Sequence, residues 1–172
     1  AWEMQTSPGS RFPVWDDTAK GSSLIFKTDE VVYEAETRSL LKGDAIATSP
    51  LAEAMRFLGV PYLWGGRSAW GIDCSGLVQI AFGMNNIALP RDAHQQADCG
   101  TPVPWASRQP GQLAFFANTA GRITHVGILA ENSQILHASG EGRVRLDTLT
   151  ERGICHAHTG RITHPLAFLR QI

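Results

Sequence analysis

Cys74 stands in the string Asp73-Cys74-Ser75-Gly76, behind a glycine-rich turn and ahead of a helical apolar pattern. Two histidines, His125 and His137, follow on strand-like segments. A cysteine at a helix start meets unsatisfied N–H groups and the positive end of the helix dipole, and both favour thiolate over thiol. The expectation is a Cys74 thiol with its pKa below that of free cysteine. A strand-borne imidazole can take the thiol proton, and a second polar group can orient that imidazole. A lone cysteine is more often a packing residue. Against that stand the polar neighbours Asp73 and Ser75, and Gly71 and Gly76, which would leave room for a substrate beside the sulfur.

In Thr124-His125-Val126-Gly127-Ile128-Leu129, alternation sends Val126 and Ile128 to one face and His125, Gly127 and Leu129 to the other. Gly127 would leave a gap beside the imidazole. His137 lies in Ile135-Leu136-His137-Ala138. A two-residue turn at Asn132-Ser133 would pair position 128 with 137 and put the histidines on opposite faces. A three-residue loop, Glu131-Asn132-Ser133, pairs 127 with 137 and sets them diagonally adjacent on one face. A cooperating pair requires the odd loop. The rival cluster is Cys155-His156-Ala157-His158 with His164. These are zinc-ligand types, but their spacing fits no common zinc knuckle, and a polar loop is the simpler reading. His94 near Asp92 reads as a surface or cleft residue. No metal and no cofactor is expected.

The elements that must position these groups begin at Ser49-Pro50, a cap followed by proline at the first helical position. Leu51, Ala54, Met55 and Leu58 fall on one helix face, and Gly59 and Pro61 end the helix. A tight loop, Pro61-Tyr62-Leu63-Trp64-Gly65-Gly66, leads to a second helix from Cys74, largely buried through Leu77, Val78, Ala81 and Met84. A short helix is expected around 92–97. Beyond Pro110-Gly111 the period becomes two. Segments 112–117, 124–130, 134–139 and 143–146 read as antiparallel strands, with a last strand at 166–170. Helices followed by a meander give an α+β layout on a sheet of about five strands.

The 172 residues suit one domain plus a short segment, with 43% apolar residues and a net charge of −1. That balance argues against a nucleic-acid partner. No apolar run approaches the ~20 residues of a membrane span. The first residues form no signal peptide and lack an initiator Met, which reads as an incomplete N-terminus. Cys99 and Cys155 could pair, or all three cysteines could be free thiols. Residues 1–47 carry β-prone pieces, Leu24-Ile25-Phe26 and Val31-Val32-Tyr33, with no complete hydrophobic core.

Six ordered motifs resemble the NlpC family of papain-like bacterial cell-wall peptidases. They are Pro61 to Gly66, Gly71 to Gln79, Leu89 to Asp92, Pro110 to Phe116, His125 to Ile128, and His137-Ala138. The resemblance implies a papain-like domain over 48–172, helices packed on an antiparallel sheet. It implies a cysteine peptidase that hydrolyses the γ-D-glutamyl–diamino acid bond of peptidoglycan stem peptides. By position Cys74 resembles the nucleophile, His125 the base and His137 the orienting residue, while Tyr62 resembles the tyrosine lining the oxyanion site. Asp73, Ser75 and Asp92 resemble the groups that hold the free amine of an N-terminal L-alanine in murein-recycling members, with Trp64 lining the same cleft. Gln112 stands where the family often has Asp, and Ala93 where some members have Ser. Such members often carry bacterial SH3-like domains, so residues 1–47 are expected to be a lead-in segment or the remnant of one. The partner expected is a peptidoglycan-derived peptide, and the compartment a bacterial cytoplasm, with periplasm or secretion as the alternative. Competing functions are a Cys/His amidase or acyltransferase of the same fold, a wall-remodelling or toxin-type murein hydrolase, and a cell-wall-binding module with a vestigial site.

Overall fold

A computed structural model of the chain describes residues 49–156 and 159–172 and the backbone of 14–16, 23–27 and 32–36. Two compact units emerge, one containing the described strands within 10–46 and the other the described residues from 49 to 172. In the smaller unit, strands β1 (Val14–Asp16), β2 (Ser23–Lys27) and β3 (Val32–Glu36) form an antiparallel sheet with β2 in the middle. The β-prone piece 24–26 lies in β2, and Val32 and Tyr33 of the other lie in β3, while Val31 lies outside the described residues.

The larger unit starts with helix α1 (Pro50–Met55), whose N-cap Ser49 accepts a hydrogen bond from the Ala52 N–H at 3.1 Å. The helix is shorter than its apolar pattern, so its last turn rotates away from the expected stripe. Phe57, not Leu58, enters the core, and Leu58 is 51% exposed. A two-stranded ribbon, β4 (Arg67–Ser68) and β5 (Gly71–Ile72), then delivers the chain to helix α2 (Cys74–Met84). Leu77, Val78 and Ala81 on α2 are fully buried. Helix α3 (Ala93–Gln96) follows, with Asp92 as its N-cap.

The rest is β structure. The strands are β6 (Thr101–Val103), β7 (Leu113–Ala117), β8 (Ile123–Leu129), β9 (Gln134–Ala138), β10 (Val144–Thr150), β11 (Gly153–Cys155) and β12 (Ile162–Gln171). They run in the order β11-β10-β9-β8-β7-β12-β6, and β11 also pairs with β12. Six strands therefore close into a barrel, and β6 lies outside it against the C-terminal end of β12. The antiparallel sheet packed by helices is as expected, but the count of about five strands is too low. β6 and β11 have three residues each, too few to register as an alternating pattern. Two apolar clusters sandwich the sheet. One joins α1, α2 and α3 to Val126, Ile128, Leu136 and Val144. The other fills the barrel with Phe116, Leu129, Ile135, Leu149, Ile154 and Leu169.

Candidate active site

Cys74 opens α2, and Asp73 caps it: the Gly76 N–H donates to Asp73 Oδ1 at 2.7 Å. The other oxygen, Oδ2, accepts the Gly65 N–H at 2.9 Å. Arg91 grips the carboxylate through both terminal nitrogens and also donates to Ser75 Oγ at 2.9 Å. Burial pushes the Asp73 carboxyl up, but the Arg91 and backbone hydrogen bonds outweigh it and hold the group below the usual range. The glycines around this turn serve close packing rather than substrate access. A Cβ on Gly76 would lie 2.5 Å from the Gly66 carbonyl oxygen, one on Gly66 the same distance from the Gly71 oxygen, and one on Gly71 against Leu63. Gly127 likewise yields its space to the Ile135 side chain, so no gap opens beside His125.

The expectation of a depressed thiol pKa is reversed. Cys74 is 8% exposed. Burial pushes the thiol up, and the nearby Asp73 carboxylate adds to the rise. The N–H groups of Val126 and Ser75, which favour thiolate, do not overcome this. The Val126 N–H contact fixes the geometry: the sulfur sits against the backbone of the residue next to His125. Tyr62 belongs to the same neighbourhood, since burial, then Cys74 and Asp73, raise its hydroxyl.

Strands β8 and β9 pair Ile128 with Leu136 and Leu129 with Ile135, and the Ala130 N–H bonds the Gln134 oxygen at 2.8 Å. This is the odd, three-residue register. Asn132 and Ser133 take positive φ of 56° to make it. A bulge before His125, where Phe116 faces His125 but Ala117 faces Ile123, re-aims the strand end. His125 Nε2 then lies 2.9 Å from His137 Nδ1, the rings nearly perpendicular. His137 Nε2 lies 3.0 Å from Asp147 Oδ2, which also accepts from Arg145 Nε at 2.7 Å. Burial pushes the Asp147 carboxyl up, yet the hydrogen bonds from His137 and Arg145 bring it down to about 2. Burial, then His137 and His164, push His125 well below the ordinary imidazole range. Both shifts disfavour the charged forms, thiolate at Cys74 and imidazolium at His125.

A buried cysteine at a helix N-terminus, set against the backbone of the strand whose histidine a second histidine engages, is the layout of a cysteine peptidase. A model of the NlpC/P60 family matches residues 59–162, more than half of the chain. The chain belongs to the NlpC/P60 family. By family this is a cysteine peptidase domain of the hydrolase class. It is 44% identical over 98 residues to a γ-D-glutamyl-L-lysine dipeptidyl-peptidase of Bacillus subtilis, covering 55% of this chain and 33% of that one. A probable endopeptidase p60 of Listeria seeligeri is 39% identical over 103 residues, 60% of this chain and 19% of that one. The chain therefore spans a third or less of the length of these relatives. A crystal structure of an NlpC/P60 family protein from Bacillus cereus superposes with a TM-score of 0.76 at 24% identity, over 94% of this chain and 53% of that one, and shares the fold. The P60 domain of an antigen from Mycobacterium avium subspecies paratuberculosis gives a TM-score of 0.57 at 28% identity, over 72% of this chain and 91% of that domain.

Within the NlpC/P60 domain, Trp64 stands 85% exposed on the loop before β4. Asp92 is exposed too, its N–H accepted by Gln95 Oε1 at 3.2 Å in a capping box. Ser75 and Asp73 are buried in the Arg91 network, so neither presents a free charge. Sequence reasoning missed two side chains. Asp147 lies beyond the expected strand end at 146; extending the alternation from Arg145 to Leu149 is the signal that could have found it. His164 stacks on His125 with ring centroids 4.3 Å apart, and burial brings it down to about 4. It had been grouped with the suspected zinc cluster, and among the described residues no His, Cys, Asp and Glu group is arranged to hold a metal ion. His158 of that cluster lies outside the described residues. Cys74, Cys99 and Cys155 are all free thiols. Among the described residues, no helix is long and apolar enough to cross a membrane.

Proposed function

We propose that this domain hydrolyses the γ-D-glutamyl–diamino acid bond of peptidoglycan stem peptides, with Cys74 as nucleophile, His125 as base and His137 as the group that orients the base. The observation that carries the reading is the His125–His137 hydrogen bond of 2.9 Å on the strand whose next N–H contacts the Cys74 sulfur. With Nε2 engaged, His125 keeps Nδ1 for the thiol proton. As the sulfur attacks the carbonyl carbon, that proton passes to His125. N–H groups at the start of α2 and the Tyr62 hydroxyl stabilise the oxyanion. His125 then gives the proton to the leaving amine, and water hydrolyses the thioester.

The finer reading is a recycling enzyme for free L-Ala-γ-D-Glu-diamino acid peptides, acting in the cytoplasm. The 44% identity to a relative named for γ-D-glutamyl-L-lysine cleavage supports the bond assigned, and the free-peptide substrate and compartment rest on the resemblance of Asp73, Ser75 and Asp92 to the recycling members. Tyr62, Trp64, Asp73, Ser75 and Asp92 line the substrate cleft. Because Arg91 already compensates Asp73, the alanine amine falls to Asp92, while Asp73 and Ser75 hold the cleft wall. Residues 1–47 are, in this reading, a lead-in segment or the remnant of an upstream bacterial SH3-like domain. The test is mass spectrometry of the free tripeptide and its N-acetyl form after incubation with the chain. The free peptide should be cut with kcat/KM at least about tenfold higher, a difference of ~1.4 kcal/mol. Equal cleavage of both would move the enzyme to the wall-remodelling members, and no cleavage of either would remove the γ-D-glutamyl assignment.

A further inference from the structure

We infer that Asp147 is a positioning residue for the base: acting through His137, it sets the direction of the hydrogen-bond chain so that His125 carries its proton on Nε2 and keeps Nδ1 bare. The inference rests on the reading of Cys74 and His125 as the reacting pair.

The argument is one of valence. A carboxylate only accepts hydrogen bonds. His137 Nε2, 3.0 Å from Asp147 Oδ2, must therefore carry a proton. A neutral His137 then has no proton on Nδ1, so His125 Nε2, 2.9 Å away, must donate to it. A neutral His125 has spent its one ring proton, and Nδ1 is left with a lone pair. Without the carboxylate the two imidazoles could be wired in either sense. In the reverse sense His137 donates from Nδ1, and His125 holds its proton on Nδ1, where it cannot act as a base. Asp147 removes that degeneracy.

The fold keeps Asp147 in place for this. On β10, Arg145 pairs across from His137 and Asp147 from Ile135, so Asp147 is the diagonal neighbour of His137 on one face. Asp147 is 3% exposed and His137 fully buried, so water does not compete for the bond. Arg145 Nε donates to Asp147 Oδ2 at 2.7 Å, and its Nη2 donates to Glu141 Oε2 at 3.4 Å. The charged and titratable groups facing this chain are His164 from β12, Arg145 from β10 and Glu141 from the turn between β9 and β10. When His125 accepts the thiol proton, the carboxylate two links back also favours the resulting cation.

Two variants of the full chain test this. In Asp147→Asn, the amide oxygen can still accept from His137 and Arg145, and only the charge is lost. Asp147→Ala removes the acceptor. Nitrogen-15 NMR of labelled histidines reads the tautomers without any substrate. Wild type should show His125 and His137 both as Nε2–H forms, whereas Asp147→Ala should populate Nδ1–H at His125. On the γ-D-glutamyl tripeptide, Asp147→Ala should lower kcat roughly 100-fold with KM nearly unchanged. Asp147→Asn should lower kcat less, and its acid limb should move to lower pH, which a purely structural role would not do. An Nδ1–H tautomer at His125 in the wild type overturns the inference, as does a folded Asp147→Ala enzyme with wild-type kcat. If the wild type cuts no γ-D-glutamyl peptide, the substrate reading fails while the tautomers still decide the inference. If Asp147→Ala does not fold, the Asn variant's acid limb decides it: an unmoved limb counts against the inference.

Discussion

A Cys74 whose thiolate is disfavoured makes a quantitative prediction that separates this site from one built on a preformed thiolate. Burial holds the thiol above its ordinary value of 9.0. At pH 6, then, the thiol form prevails at Cys74. An ion-paired thiolate with a pKa near 3.5 would be almost wholly ionised at the same pH. The two descriptions give opposite ionisation of Cys74 at pH 6. The perturbation is pH itself. Iodoacetamide alkylation of Cys74 is followed by peptide mass spectrometry from pH 5 to 10, with the thiolate absorbance near ~240 nm read as the difference between wild type and Cys74→Ala. Alkylation should climb about tenfold per pH unit from 6 to 9, with no thiolate band at pH 6. On substrate the acid limb should lie below pH 6.5, because His125 is held well below that value and stays unprotonated. A rate already flat between pH 5 and 8, with full thiolate absorbance there, would refute the reasoning. It would mean that the Val126 and Ser75 N–H groups outweigh burial.

Arg91→Met should destabilise the domain by about 2–4 kcal/mol, because it leaves the Asp73 carboxylate buried without its partner. The lower part of that range reflects the 30% exposure of the Arg91 side chain, and urea unfolding reads the loss; an unchanged midpoint would contradict the network. Gly76→Ala should cost about 1–3 kcal/mol and lower kcat, since a methyl 2.5 Å from the Gly66 oxygen must displace the capped turn that aims Cys74. Wild-type melting and turnover in that variant would show the turn to be pliable.

Much of the site could be read in the linear sequence because its parts are local. A cap, a cysteine and an apolar helix face are neighbours along the chain, so Asp73, Cys74, Leu77 and Val78 announce α2. The two histidines were tied by parity alone, since an odd loop between paired strands keeps them on one face. What stayed hidden was long-range. Arg91 reaches Asp73 across 18 residues, and Asp147 reaches His137 from the next strand. Those contacts depend on register and barrel closure, which leave no periodic mark. The direction of the Cys74 pKa was misread for the same reason. The helix dipole is legible in the sequence, but the packing that strips water from the sulfur is not. The closed barrel escaped notice because two of the seven strands are three residues long.

Strand β12 pairs with β7, β11 and β6, and its His164 covers the His125 ring. It is also the last of these strands to leave the ribosome. At about 5–20 residues per second, the 16 positions from Cys155 to Gln171 take roughly 1–3 s to synthesise. During that interval the nascent chain already carries its sulfur and both relay imidazoles, yet the ring is unclosed and β7 and β11 present open edges. Pairings this distant in sequence form late. Hydrolytic competence is thus deferred until β12 has been made. A chain cut short before residue 162 would hold every reacting atom and still have no working enzyme.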